Sequence, residues 1–137
     1  MLCVEDYIDA LEWVKSIGGY QGTIKRADHN FSIIKKWVDQ SNWVDFLCES
    51  EENLSNTSVC LKFSNNLSEL NEVDQRAFAK AIGKLLNDEK VAYDIVNHRS
   101  APPGLRIWAG ATVESDDIAK LLPCLLYTSD AADDKCS

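Results

Sequence analysis

Val4, Tyr7, Ile8, Leu11, Val14 and Ile17 recur three or four residues apart, the spacing of one apolar helix face. Gly18-Gly19 stops the run, so the pattern predicts a helix over 4–17. Thr23 is placed to cap a second helix over 23–40. Its apolar face is Ile24, Ala27, Phe31, Ile34, Trp37 and Val38, while Lys25, Arg26, Lys35 and Lys36 fall on the wet side. Asn42 breaks that helix, 43–48 reads as a strand and 49–57 as a polar loop. Residues 58–63 alternate, with Val59, Leu61 and Phe63 on one face, the mark of a half-buried strand. After a turn region over 64–70, Asn71 and Asp74 resemble a helix start. That helix runs to about residue 87 and buries Phe78, Ala81, Ile82 and Leu85. A short apolar strand follows over 91–96. Pro102-Pro103-Gly104 can continue neither strand nor helix, and 105–109 is the next strand. Glu114, Asp116 and Asp117 suit the N-terminus of a last helix, whose dipole favours negative charge. Ile118, Leu121 and Leu122 form its apolar face, and Pro123 interrupts it.

The order ααββαββα pairs strands between helices. It predicts an α/β chain of the α+β two-layer kind, with a mainly antiparallel sheet. Neither an internal repeat nor a dividing linker is present. The 137 residues make one domain of ordinary size, long enough to build a core without disulfides or metal. The first helix begins almost at residue 1, which fits further sequence upstream.

Composition narrows the partners. With 22 acids against 14 bases the formal charge is −8, so nucleic acid and anionic membranes, which need a basic face, are poor expectations. No apolar run reaches the roughly 18 residues of a membrane span. The first ten residues carry acids where a signal peptide needs a basic and then an apolar region. Five cysteines (Cys3, Cys48, Cys60, Cys124 and Cys136) form no CxxC, which favours reduced thiols in a cytoplasmic protein.

Residues 124–137 leave the pattern. CLLYTSDAADDKCS is small and acidic in its second half, without apolar period. It resembles translated sequencing-adapter read-through, so 124–137 is expected to be non-native; a native acidic tail is the other reading.

The densest chemistry lies in His98-Arg99-Ser100-Ala101-Pro102-Pro103-Gly104-Leu105-Arg106. Arg99 leaves one predicted strand and Arg106 enters the next, so both could face one cleft. Guanidinium groups bind carboxylate and phosphate through paired hydrogen bonds. Strand parity puts Arg106 and Trp108 on one face, Leu105 and Ile107 on the other. The competing reading is a set of ordinary surface ion pairs, each contributing roughly 0–1 kcal/mol. Other candidates are weaker. His29 and His98 give no metal spacing. Cys60 or Cys48 with His98 would make a nucleophile pair, but Cys60 sits in a strand interior, where inert thiols are common. Phosphate loops and GxSxG elbows are absent.

MLCVEDYIDALEWVKSIGG, WVDFL, SNTSVCLKF and APPGLRIWAGATVE resemble the C-terminal part of the phosphoserine aminotransferase family, of the type common in alphaproteobacteria. The resemblance runs from Met1 to about Pro123. It implies that 1–123 is the small C-terminal domain of a fold-type I enzyme using pyridoxal 5′-phosphate, a cytoplasmic homodimer. Such enzymes move an amino group from glutamate to 3-phosphohydroxypyruvate, giving phosphoserine and 2-oxoglutarate in serine biosynthesis. Many also act in vitamin B6 synthesis.

The resemblance also implies residue roles. Arg106, in GLRIW, matches the family arginine that holds the substrate α-carboxylate. His98-Arg99 occupies the place of a pair that helps bind the substrate phosphate, although the alphaproteobacterial type usually has an aromatic residue at the first position. Two cationic clamps suit a substrate that carries a carboxylate and a phosphate. The family's Schiff-base lysine, its pyridinium aspartate and its phosphate cup match nothing in this chain, which is expected to be inactive alone. The alternative is a stand-alone, non-catalytic domain that binds small anions or another protein.

Overall fold

The computed structural model describes the backbone of residues 1–136 and the side chains of residues 1–127. Helix α1 spans Leu2–Ser16 and α2 spans Gly19–Gln40; between them Gly18 takes φ +100°, a left-handed turn open to glycine at no steric cost. The glycine pair therefore both stops the first helix and starts the second. Thr23 does not cap α2, as the sequence suggested. It lies inside the helix, its hydroxyl donating to Tyr20 O at 2.7 Å.

Strand β1 is Val44–Phe46 and β2 is Ser58–Phe63, with one turn of 3₁₀ helix (Glu51–Asn53) in the loop between them. A second 3₁₀ turn, Asn65–Glu69, precedes helix α3, Glu72–Asp88. Asn71 caps α3 as expected, its side chain accepting from Asp74 N at 3.0 Å. Strand β3 is Leu105–Trp108 and helix α4 is Ser115–Cys136.

The sheet is antiparallel in the order β1-β2-β3, with Val44 opposite Phe63 and Cys60 opposite Arg106. Its inner face (Val44, Val59, Leu61, Phe63, Leu105 and Ile107) packs on Ile34 and Val38 of α2, on Phe78, Ile82 and Leu86 of α3, and on Ile118, Leu122 and Leu125 of α4. Helices thus cover one face only. The other face carries Asp45 and Trp108, which are exposed, and Ser58, Cys60, Lys62 and Arg106, which are half-buried. The two-layer α/β class holds, with four α-helices and three strands among the described residues.

Two further expectations need correction. Residues 91–96 form no strand. Lys90 and Asp94 both take left-handed backbone (φ +58° and +53°), which breaks the extended repeat. Only its end runs beside β3: Val96 bridges Leu105, and Ile95 O accepts from Arg106 N at 2.7 Å. Pro123 does not end the last helix; α4 passes through it. A helix-interior proline costs about 3 kcal/mol. Leu122 and Leu125 on either side of it are both buried, and that apolar stripe holds the helix course. On α3 the fully buried positions are Phe78, Ala79, Ile82 and Leu86, while Ala81 and Leu85 pack only partly against the core.

Candidate functional site

The loop over 97–104 is fixed from several sides. Asn97 is buried, and its Nδ2 donates to Leu61 O at 3.4 Å and Pro102 O at 3.2 Å. Asn97 N donates to Gly104 O at 3.1 Å, closing the base. Arg76 reaches over from α3. Its Nε and Nη2 bond Glu72 Oε1 at 3.0 and 2.7 Å, and Nη2 also donates to Ala101 O at 2.9 Å. Gly104 has φ +153°, and a Cβ there would lie 1.9 Å from Leu61 O, so this close backbone approach admits glycine alone. Rigid placement of a short loop is what a clamp for a small ligand needs.

Arg106 leaves β3 on the open face, as strand parity predicted, with Leu105 and Ile107 in the core. Its Nη2 donates to Asp94 Oδ2 at 2.9 Å. That is its one side-chain hydrogen bond among the described residues. Its Nε and Nη1 donors stay available; Asp94 is 86% exposed and Arg106 36%. An ion pair so exposed contributes roughly 0–1 kcal/mol, so an incoming carboxylate can displace Asp94 cheaply. Trp108 stands on the same face, two residues on, and is exposed.

His98 is exposed. Its Nδ1 accepts from Ser100 N at 3.3 Å and lies 3.0 Å from Ser100 Oγ. A backbone N–H can only donate, so the neutral ring carries its proton on Nε2, a donor free to meet a ligand. Arg99 lines an open cleft between α3 and the loop, with Arg76, Ala79 and Lys80 on one wall and Asn97 and Gly104 on the other. Arg106 does not line that cleft. The structure therefore places Arg99 at that cleft and Arg106 on the open face of the sheet.

Sequence reading missed Arg76, Lys80, Asn97 and Asp94. Glu72 and Arg76 stand four residues apart, the spacing of a helical ion pair, but nothing local shows that Arg76 crosses to the loop. Arg26 was read as a wet-side residue. It is half-buried instead, donating to Ala111 O at 2.7 Å and Glu114 at 2.6 Å, with its guanidinium carbon 5.7 Å from the Trp13 ring centroid. Asn30 is buried, and its amide donates to Ala109, Gly110 and Val113 carbonyls, tying α2 to the end of β3. The thiol pairing is not assembled. Cys48 and Cys60 share a cleft beside β1 and β2 that His98 does not line, and their thiols face Ser50 O and Ser58 O. Among the described residues no cluster of three or more His, Cys, Asp or Glu could hold a metal ion. No described lysine is buried, and no helix among the described residues is long and apolar enough to cross a membrane.

Comparison with known proteins bears on what these arms serve. No family model matches the chain. A phosphoserine aminotransferase of Methanosarcina mazei is 39% identical over 130 residues, 95% of this chain and 33% of that protein. The enzyme of the same name from Methanosarcina barkeri is 42% identical over 118 residues, 86% of this chain and 30% of the relative. In structure, the chain is similar to the phosphoserine aminotransferase of Bacillus circulans subsp. alkalophilus, with TM-score 0.69 and 18% identity, over 88% of this chain and 30% of that one. A second phosphoserine aminotransferase, from work on radiation damage of its Schiff base, gives TM-score 0.68 at 17% identity with the same coverage. These two structural likenesses speak for the fold. By sequence, the chain is a homologue of the phosphoserine aminotransferases and spans about a third of their length.

Proposed function

We propose that residues 1–123 are the small C-terminal domain of a phosphoserine aminotransferase and supply its substrate anchors. The parent enzyme transfers an amino group between glutamate and 3-phosphohydroxypyruvate, in serine biosynthesis. In this reading Arg106 holds the α-carboxylate, and His98 and Arg99 meet the phosphate. The observation that carries the site reading is Arg106 itself. It projects from the one sheet face that no helix covers, with most of its donors unused. Arg99 is exposed and has no partner among the described residues, which leaves its guanidinium available to an anion.

Among the described residues no lysine is buried where it could hold pyridoxal 5′-phosphate away from water. Holding it requires a lysine in a water-excluded site, and every described lysine is exposed or half-exposed. The group, and the electron sink it provides, belong in this reading to the part of the parent that the chain does not span. The exposed apolar side of α1 supports the same view. This helix buries no residue, and Leu2, Tyr7 and Leu11 lie open, a face suited to cover by the remainder of a cytoplasmic homodimer.

Residues 124–137 are read as adapter-derived sequence added to this domain. Leu125 is nonetheless fully buried, so the added segment contributes a core side chain. Side chains beyond Tyr127 lie outside the described residues.

The test is to join residues 1–123 to the part of the Methanosarcina mazei relative that the chain does not span, and to assay phosphoserine-dependent amino transfer. The joined enzyme is expected to turn over and the 137-residue chain alone to be inert. Turnover by the chain alone, or a folded, cofactor-loaded joined enzyme without turnover, would overturn the reading.

A further inference from the structure

The two arginines of the proposed substrate site differ in one respect. Arg99 has no acidic partner among the described residues, whereas Arg106 donates from Nη2 to Asp94 Oδ2 at 2.9 Å. Backbone pairing puts that acid there. Arg106 N donates to Ile95 O at 2.7 Å and Val96 bridges Leu105, so the segment before the 97–104 loop lies along β3. Ile95 is buried and pins it. Asp94, one residue earlier, takes φ +53°, left-handed backbone that aspartate and asparagine tolerate better than most residues. The fold itself carries this short carboxylate to the guanidinium.

An ion pair with its acid so exposed adds little to stability, so its effect is sought in what Arg106 can bind. An anion that meets the free Nε and Nη1 donors stands roughly 5–6 Å from the Asp94 carboxylate, given the size of a guanidinium, and charges reach about 8–10 Å at ordinary salt. Repulsion scales with the charge of the arriving group, so a dianion is opposed about twice as strongly as a monoanion. The fork makes no such choice by shape, because a guanidinium accepts carboxylate and phosphate oxygens alike.

We infer that Asp94 is a specificity-determining residue, whose charge sorts anions at Arg106: it admits a monoanionic carboxylate and turns away a phosphate dianion. The inference rests on the reading of Arg106 as the carboxylate anchor. A substrate with a carboxylate at one end and a phosphate at the other could otherwise bind reversed. A repulsive group against the wrong end supplies an orientation that attraction alone does not. Arg99, without an acid beside it, raises no such barrier.

The experiment is an NMR titration of the 137-residue chain at constant ionic strength, read as the initial slope of the Arg106 Nε–H shift against anion concentration. The probes are acetate, methanesulfonate (a monoanion with tetrahedral oxygens) and inorganic phosphate above its second pKa. Asp94→Asn removes the charge while keeping an acceptor oxygen and a residue that tolerates the left-handed backbone. It should raise the acetate and methanesulfonate slopes about twofold and the phosphate slope about fivefold or more. Glu12→Gln removes one exposed acid from α1 and should change every slope less than about 1.5-fold. A phosphate gain in Asp94→Asn less than about twice the acetate gain overturns the inference. So does a methanesulfonate gain equal to that of phosphate, which would make oxygen geometry the cause, or the same gains in Glu12→Gln. Its failure would leave the transaminase reading standing, since that is tested by turnover of the joined enzyme.

Discussion

Replacing Gly104 by alanine puts the anchoring of the 97–104 loop to a direct test. An alanine Cβ at this position would lie 1.9 Å from Leu61 O, 2.9 Å from Asn97 Nδ2 and 3.0 Å from Leu61 C. Carbon and oxygen do not approach so closely, so the loop must move about 1 Å away from β2. Movement on that scale breaks the Asn97 N to Gly104 O bond and the Asn97 amide contacts. Each buried group left without a partner costs roughly 1–3 kcal/mol, and the disfavoured φ of +153° adds about 1–3 kcal/mol for an L-residue. The expected loss is about 3–5 kcal/mol, a large share of the roughly 5–15 kcal/mol that holds a domain together. Urea unfolding, followed by tryptophan fluorescence, reads it as a fall in midpoint at unchanged slope. Gly19→Ala is the control. It also has positive φ (+67°), but its Cβ would meet nothing within 4 Å, so it should cost only about 1 kcal/mol. Equal midpoints for the two variants would refute the argument that contact with Leu61, and not backbone conformation, makes glycine necessary at 104.

Other expectations follow from the same geometry. Leu125→Ala should destabilise by about 2–5 kcal/mol, because the side chain is fully buried beside Leu122; a calorimetric loss under 1 kcal/mol would place it outside the core. In the joined enzyme, Arg99→Ala should weaken phosphorylated substrates about tenfold more than unphosphorylated analogues, a difference read from paired kcat/KM values; equal weakening makes Arg99 structural. Lys35 hydrogen-bonds Glu51, which lowers the Glu51 pKa and raises that of Lys35. The Glu51 contribution is present above the ordinary carboxylate range and is lost as pH falls through its lowered value. The Lys35 contribution is present below the ordinary lysine range and is lost as pH rises through its raised value. NMR titration of the Glu51 carboxyl should show the downward displacement, and Lys35→Met should abolish it.

Much of the fold was legible because period and burial agree. The alternation over 58–63 has its odd members Val59, Leu61 and Phe63 in the core, and Asn71 caps α3 through the expected hydrogen bond. Errors came where a local signal met a tertiary one. Thr23 looks like a cap, but the glycine pair had already turned the chain. Residues 91–96 have strand composition, yet Lys90 and Asp94 adopt left-handed backbone that composition does not announce. Pro123 reads as a stop, and the buried leucines beside it outweigh the lost bond.

Site legibility divides in the same way. Outward projection of Arg106 follows from strand parity, a property of the sequence itself. The side to which Arg99 turns depends on how the loop docks on α3. That docking is set by Arg76 and Asn97 through contacts 25 and 36 residues distant in sequence. No spacing rule reaches so far.

In the proposed function Arg106 grips the α-carboxylate that both amino-acid substrates of the parent enzyme would share. Its most direct test is the steady-state kinetics of Arg106→Lys in the joined enzyme, with phosphoserine and with glutamate. Lysine keeps the charge and loses the fork, so kcat/KM should fall about tenfold to a hundredfold for both substrates, the loss of roughly 1–3 kcal/mol of paired hydrogen bonding. Unchanged kinetics, or a loss for one substrate alone, would contradict the account.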